Sequence, residues 1–317
     1  MSKVIRIGTR DSQLALWQAT TVKDKLEKLG YKTELVPVKS TGDLVLDKPL
    51  YEMGITGIFT KTLDVAMLNG TVNIAVHSMK DVPTALPKGI VQAAVLNRAA
   101  TEDILVTKGK IDYEKPCTIA TGSLRRKAQW LSRYPHHTVV DLRGNVQTRL
   151  QKLQENNWQG AIFAKAGLER LGYVNDDKIE SPSFEGTGES LEWMLPAPAQ
   201  GAMVVAALET DAFCKAALLK INDQETEICT RIERDFLRTL EGGCTAPIGA
   251  LAEIVGDQIQ FKGCLFSLNG KEKLEIAAST TLSLLIGENQ KLGEEKAKEL
   301  LKTGGSKLMA AIKAEMK

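Results

Sequence analysis

The sequence predicts an α/β protein with two similar domains in tandem and a smaller α+β domain at the C-terminal end. Three observations carry that expectation. Short apolar runs alternate with segments of helical periodicity over residues 4–76, and the same alternation begins again at Cys117. From about Asn222 it gives way to one long helical pattern followed by alternating strands. Strands separated by helices imply a largely parallel sheet with helices on both faces.

Val4-Ile5-Arg6-Ile7-Gly8 reads as a short buried strand. Ser12 then caps a helix in which Leu14, Trp17, Val22, Leu26 and Leu29 recur near helical spacing until Gly30 stops it. A strand over residues 33–38, a helix over 58–68 closed by Gly70, and a strand over 72–76 complete the first series. The pattern loosens between Leu86 and Asp103. The second series runs through a strand at 117–120, a helix at 123–132, a strand at 138–142, a helix from Asn145 to about Glu155 and a strand at 161–164. Residues 176–190 are polar and glycine-bearing and read as a mobile surface excursion, and the two prolines of Leu195-Pro196-Ala197-Pro198-Ala199-Gln200-Gly201 mark an interdomain crossing. A helix carrying Ile228, Ile232, Phe236 and Leu240, strands near 248–254, 259–265 and 274–281, and a closing helix over about 289–314 form the last domain.

Composition excludes several classes of function. Of 317 residues 43% are apolar and 25% charged, with a formal net charge of only +2, so bulk charge calls for no polyanion partner. No apolar run approaches the roughly 20 residues of a membrane helix, and the charged start Met1-Ser2-Lys3-Val4-Ile5-Arg6 has no apolar signal region. The 5 cysteines (Cys117, Cys214, Cys229, Cys244, Cys264) are scattered and form no CxxC pair, which points to reduced thiols in a cytoplasm. With 3 histidines, His77, His136 and His137, a multi-histidine metal centre is not expected.

Cationic side chains stand where a helix disfavours them. Arg125 and Arg126 fall in the first turn after Ser123, and Arg143 and Arg149 flank the cap Asn145. A helix N-terminus carries partial positive charge, so arginine there suits an anion site built from backbone N–H groups and guanidinium forks. A solvated helix face, or a nucleic-acid patch around Arg125-Arg126-Lys127, is the other reading. Arg10, at the first β-α turn, is expected to face the same cleft. In His77-Ser78-Met79-Lys80-Asp81-Val82-Pro83, Lys80 and Asp81 follow a buried strand at the edge where open α/β sheets bind ligands. They suit an acidic substrate and a developing positive charge, or else form a surface ion pair. In Leu240-Glu241-Gly242-Gly243-Cys244-Thr245-Ala246-Pro247, two glycines leave room against Cys244, which reads either as an inert thiol or as a functional one.

Together with Ala15-Leu16-Trp17-Gln18-Ala19, Ser123-Leu124-Arg125-Arg126 and Leu142-Arg143-Gly144-Asn145-Val146, these motifs resemble, in order and across essentially the whole chain, the hydroxymethylbilane synthase (porphobilinogen deaminase) family. The resemblance implies a transferase of porphyrin, tetrapyrrole and haem biosynthesis that condenses four porphobilinogen molecules head to tail, losing ammonia each time, before water releases the linear tetrapyrrole. It implies a dipyrromethane cofactor attached to Cys244 through a thioether, and Asp81 as the catalytic group that holds pyrrole N–H groups and stabilises the cation formed as ammonia leaves. Ser78, Lys80, Asp81, Thr121, Ser123, Arg125, Arg126, Arg143 and Gly144 would bind the cofactor, and Arg10, Ser12, Arg149, Arg170 and Gln200 the substrate, with no metal. The implied fold is two domains like type 2 periplasmic binding proteins. Residues 1–98 with 199–219 would form the first, which holds the catalytic aspartate, and 99–198 the second, which holds the arginines; residues 220–317 would carry the cofactor cysteine.

The chain departs from the family pattern at Thr56, where lysine is usual, so that one carboxylate contact is either lost or supplied by Lys61, and at Ala120 and Ala199, where glycine is common. The partner expected is the small molecule porphobilinogen, acting on a cytoplasmic monomer without nucleic acid or membrane. A non-catalytic small-anion binding protein on the same scaffold is the competing expectation, and it leaves Cys244 and Asp81 without a purpose.

Overall fold

The computed structural model describes residues 3–39, 60–240, 246–285 and 291–316. In chain order the elements are β1 (Val4–Thr9), α1 (Gln13–Lys28), β2 (Lys32–Pro37), α2 (Lys61–Leu68), β3 (Ile74–Ser78), β4 (Ile90–Val95) and β5 (Asp103–Thr107). There follow β6 (Thr118–Ala120), α3 (Leu124–Arg133), β7 (Thr138–Val140), α4 (Val146–Glu155), β8 (Gly160–Ala164), α5 (Lys165–Arg170), β9 (Val174–Asn175), β10 (Lys178–Ser181) and β11 (Phe184–Ser190). The rest comprises β12 (Met203–Leu208), α6 (Ala212–Leu219), α7 (Gln224–Thr239), β13 (Ile248–Val255), β14 (Gln258–Phe266), β15 (Lys273–Thr281), α8 (Leu292–Leu300) and α9 (Ser306–Glu315). Among the described residues the chain divides into two compact units, one holding 3–39, 60–99 and 201–228, the other 100–200, 229–240, 246–285 and 291–316.

The first unit is an α/β sheet in the order β2-β1-β3-β12-β4. Side chains alternate across it, as the period of a strand requires. Ile5, Ile7, Ile74, Val76 and Val205 meet Ala19, Val22 and Leu26 of α1 and Leu218 of α6 on one face. Ala75 and Ala206 meet Leu63 and Met67 of α2 on the other. β1 pairs in parallel with β2 and β3, but β12 runs antiparallel to both β3 and β4. The expectation of a largely parallel sheet is corrected on that point.

The second unit holds the sheet β7-β6-β8-β5-β11-β10-β9, with β6, β7 and β8 parallel and the remainder antiparallel. Leu150, Leu153 and Leu168 cover one face, and Trp130, Leu191 and Met194 the other. Residues 176–190, expected as a mobile excursion, are sheet instead: β11 pairs residue by residue with β10 and with β5. A separate small C-terminal domain is built on the antiparallel sheet β13-β14-β15. Phe236 of α7 packs edge-on against Phe261 of β14, with ring centroids 5.2 Å apart. The single closing helix is corrected to two, α8 and α9, because the backbone leaves helical angles at Thr303 and at Gly304, whose φ is 117°.

Ala199 takes a left-handed conformation, φ 63°, while fully buried. A left-handed alanine costs roughly 1–2 kcal/mol, and burying its methyl returns about 0.8 kcal/mol, so the departure from glycine costs about 1 kcal/mol or less. A β-branched side chain has no such balance. Ala199→Val is expected to lose about 2–4 kcal/mol of stability from strain and overpacking, read as a lower urea midpoint at unchanged slope.

Candidate active site

In the first unit the parallel pairing of β1 with β3 brings the ends of both strands to one edge of the sheet. Arg10 follows β1, and Ser12 caps α1 by accepting a hydrogen bond from the Ala15 N–H at 3.4 Å. Ser78 ends β3, and its Oγ accepts from the Gln18 side-chain amide at 2.8 Å. Met79, Lys80 and Asp81 form one 3-10 turn, with Lys80 and Asp81 half-buried. The Met79 N–H donates to the Ala202 carbonyl at 3.0 Å, which fixes that turn against the strand it follows. The edge therefore presents two cations, two hydroxyls and one carboxylate.

His77 lies beneath this edge, 7% exposed. Burial, helped by the positive charge of Arg10, pushes its pKa down to about 4. The unfolded chain takes up this proton near pH 6.5, so the stability tied to a neutral His77 is complete above about 6.5 and is lost as pH falls towards 4. The loss across that window is expected to reach about 3 kcal/mol. Urea midpoints measured from pH 7 to pH 4 should fall in the wild type, and fall less in His77→Gln.

In the second unit two β-α loops lie side by side. A Cβ on Gly122 would stand 2.6 Å from the Leu142 carbonyl oxygen and 3.8 Å from Arg143 Cδ, so only a glycine lets the Thr121-Gly122-Ser123 loop approach the Leu142-Arg143-Gly144 loop this closely. Ser123 caps α3, its Oγ accepting from the Arg126 N–H, and Asn145 caps α4, its Oδ1 accepting from the Thr148 N–H at 2.8 Å. Gly144 has φ 117°, and a Cβ there would meet Thr148 Cγ2 at 2.7 Å. Thr121 is buried, and its Oγ1 accepts from the Ser123 N–H at 3.3 Å. Neither helix has an acidic residue in its first turn, so both positive helix ends face these loops uncompensated from within.

The arginines occupy different surroundings. Arg126 donates from Nε (3.1 Å) and Nη2 (2.7 Å) to Asp103 Oδ1, and from Nη1 to the Ile162 carbonyl (2.9 Å). Arg125 Nη2 lies 2.7 Å from Asp103 Oδ2, and its Nη1 donates to the Leu195 carbonyl at 2.8 Å. Both guanidiniums are buried, and burial lowers the pKa of Arg125 despite the carboxylate beside it. An exposed nucleic-acid patch at Arg125-Arg126-Lys127 is thereby excluded in this structure. Gln200 joins the same cluster, donating to the Thr101 carbonyl (2.8 Å) and to Asp103 Oδ1 (2.9 Å). Arg149 Nε donates to the Gly144 carbonyl at 2.7 Å. Burial pulls down the pKa of Arg143, offset in part by Asp141, and pushes that of Arg170 down to about 10, offset in part by Glu169.

The structure thus gathers Arg125, Arg126 and Gln200 on Asp103, and Thr121, Ser123, Arg143, Gly144 and Arg149 on the adjoining loops. Asp103 and Gly122 are not among the residues expected from the sequence, although a glycine between two hydroxyl residues in Thr121-Gly122-Ser123 is a signal of close backbone approach. Cys244 and Thr56 lie outside the described residues. A cavity of about 770 Å³ in the second unit, lined by Gln129, Arg133, Trp193, Lys262 and Phe266 among others, includes none of the predicted site residues. The loops are preferred as the site, because their cations and helix ends converge there.

The sequence pattern of the family described as "Porphobilinogen deaminase, dipyromethane cofactor binding domain" matches residues 5–216, and that of "Porphobilinogen deaminase, C-terminal domain" matches residues 227–302. The chain belongs to the porphobilinogen deaminase family. Relatives named porphobilinogen deaminase include those of Geotalea uraniireducens, 39% identical over 98% of this chain and 95% of the relative, and Desulfitobacterium hafniense, 41% identical over 98% of both. That of Carboxydothermus hydrogenoformans is 40% identical over 99% of both chains. Solved structures similar to the chain include a methionine binding protein, 13% identical with a TM-score of 0.42, covering 71% of this chain and 92% of that one. Porphobilinogen deaminases are transferases of tetrapyrrole biosynthesis, and membership in a family whose matched region is a dipyrromethane-binding domain does not favour the non-catalytic small-anion binding protein. Among the described residues no helix is long and apolar enough to cross a membrane.

Proposed function

We propose that the chain performs the hydroxymethylbilane synthase reaction on porphobilinogen through the residues described above, as a cytoplasmic monomer, with the dipyrromethane attached to Cys244. The observation that carries this is a local cluster in the second unit: one carboxylate, Asp103, faces two guanidiniums of α3, and the adjoining loop brings Arg143, Arg149 and a second helix N-terminus. Each pyrrole ring of the cofactor and of the substrate carries an acetate and a propionate, and these cations, N–H groups and hydroxyls are the complementary donors. The donor set therefore fits the cofactor. Attached at Cys244, the dipyrromethane supplies the pyrrole carbon from which the chain grows.

Within the protein, Thr121, Ser123, Arg125, Arg126, Arg143 and Gly144 bind cofactor carboxylates, with Ser78 and Lys80. Arg10, Ser12, Arg149 and Arg170 bind those of the substrate, with Gln200 lining the substrate site while its amide holds the Thr101 carbonyl and Asp103. Asp81 accepts hydrogen bonds from pyrrole N–H groups and stabilises the positive charge that develops as the substrate loses ammonia. Residues 1–98 with 199–219 form the domain of Asp81, 99–198 that of the arginines, and 220–317 that of the cysteine. The buried thiols support a role for Cys244, since burial holds Cys214 and Cys264 at about 12 and raises Cys117, keeping all three protonated.

The test is to incubate purified protein with porphobilinogen and follow both products. One ammonia released per porphobilinogen consumed, with a linear tetrapyrrole appearing, is the expected outcome. Absence of consumption by folded protein would overturn the proposal.

A further inference from the structure

We infer that Asp103 is a positioning residue for the cofactor, acting through Arg125 and Arg126, and that Glu233 braces the same assembly from the opposite end. This rests on the function proposed above.

Asp103 opens β5 and is completely buried, 0% exposed. Its Oδ1 accepts hydrogen bonds from Nε and Nη2 of Arg126 and from the Gln200 amide at 2.9 Å, while its Oδ2 lies in ion-pair contact with Nη2 of Arg125 at 2.7 Å. Gln200 follows Ala199, whose backbone is left-handed at φ 63°. The Ala199 N–H donates to Glu233 Oε2 at 2.6 Å, and the other oxygen of Glu233 accepts from the Ala252 N–H of β13 at 2.8 Å. Glu233 is also 0% exposed. Hydrogen bonds thus run from β13 through Glu233 to Ala199, the chain itself carries the line on to Gln200, and hydrogen bonds continue it through Asp103 to Arg126 in the first turn of α3.

Two features of this line exceed what folding alone requires. A buried carboxylate with one arginine is a balanced pair, whereas here two guanidiniums share one carboxylate and a unit of positive charge is left over. Furthermore, Arg125 Nε is buried with no hydrogen-bond partner among the described residues, although its Nη groups are held. Asp103 therefore fixes the direction of both forks and leaves the pair one carboxylate short. A cofactor carboxylate supplies the missing charge. Without Asp103 the same two cations would repel each other and turn independently, and the receptor would lose its geometry before it lost its charge.

The experiment uses the full chain as wild type, Asp103→Asn and Asp103→Glu. Each is purified as apoprotein and mixed with porphobilinogen, and the gain of the dipyrromethane is timed by intact mass, with thermal melting recorded on the same samples. Expected are loading about tenfold slower in Asp103→Asn and about threefold slower in Asp103→Glu, in protein that melts well above the assay temperature. Loading at the wild-type rate in variants whose melting alone is lowered would make Asp103 a folding residue and overturn the inference. Should Asp103→Asn fail to fold, Asp103→Glu, which retains the charge, decides the matter alone: slowed loading supports positioning and an unchanged rate refutes it. Failure of the wild type itself to gain the cofactor would instead refute the proposed function, and this inference with it.

Discussion

Asp81→Asn is expected to lower kcat for porphobilinogen about 10²–10³-fold, the usual loss when a group aimed at developing charge is removed. The substitution deletes a charge and keeps the shape. Asp81 is half-buried at the end of a 3-10 turn, and that turn is held by backbone bonds from Met79 to Ala202 and from Val82 to Met79, none of which uses its side chain. Melting temperature should therefore stay within about 2 °C of wild type, as expected of a surface change worth about 0.5 kcal/mol or less. The carboxylate matters most where positive charge appears, as ammonia leaves, so the effect should fall on kcat more than on KM. Steady-state kinetics on cofactor-loaded protein provide the check. A kcat within threefold of wild type would remove Asp81 from the chemistry.

Cys244→Ser should abolish turnover altogether. A thiolate is the nucleophile that forms a thioether, and a serine hydroxyl hardly ionises near neutral pH. No described cysteine offers a substitute, because Cys117, Cys214, Cys229 and Cys264 are all buried, and burial is the foremost cause that raises the pKa of Cys117, Cys214 and Cys264. Serine differs from cysteine only in oxygen for sulfur, so a failure of the serine variant would reflect chemistry and not crowding. Turnover of porphobilinogen by this variant at the wild-type rate would contradict the assignment.

The parts of the fold legible in the sequence are those set by near neighbours. Ser12, Ser123 and Asn145 stand three residues ahead of the N–H groups they cap, and such spacing is visible without a structure. β12 escaped because its run Met203-Val204-Val205-Ala206-Ala207-Leu208 has neither period, and its partners are Ser78 and Val95, more than a hundred residues away. Residues 184–190 looked like a loop because of Gly186 and Gly188, yet those glycines are what lets β11 lie against β5: a Cβ on Gly186 would stand 2.2 Å from the Thr107 carbonyl. At the site, the arginines could be read from the unfavourable placement of cations at helix starts. Their carboxylate could not, since Asp103 is separated from Arg125 and Gln200 by long stretches of chain and belongs to no motif.

The most direct test of the account is the intact mass of the wild-type protein purified from a host that makes haem. The predicted result is a mass above that of the sequence by one dipyrromethane, with the addition lost in Cys244→Ser. An unmodified mass in a folded wild-type protein that also fails to consume porphobilinogen would contradict it.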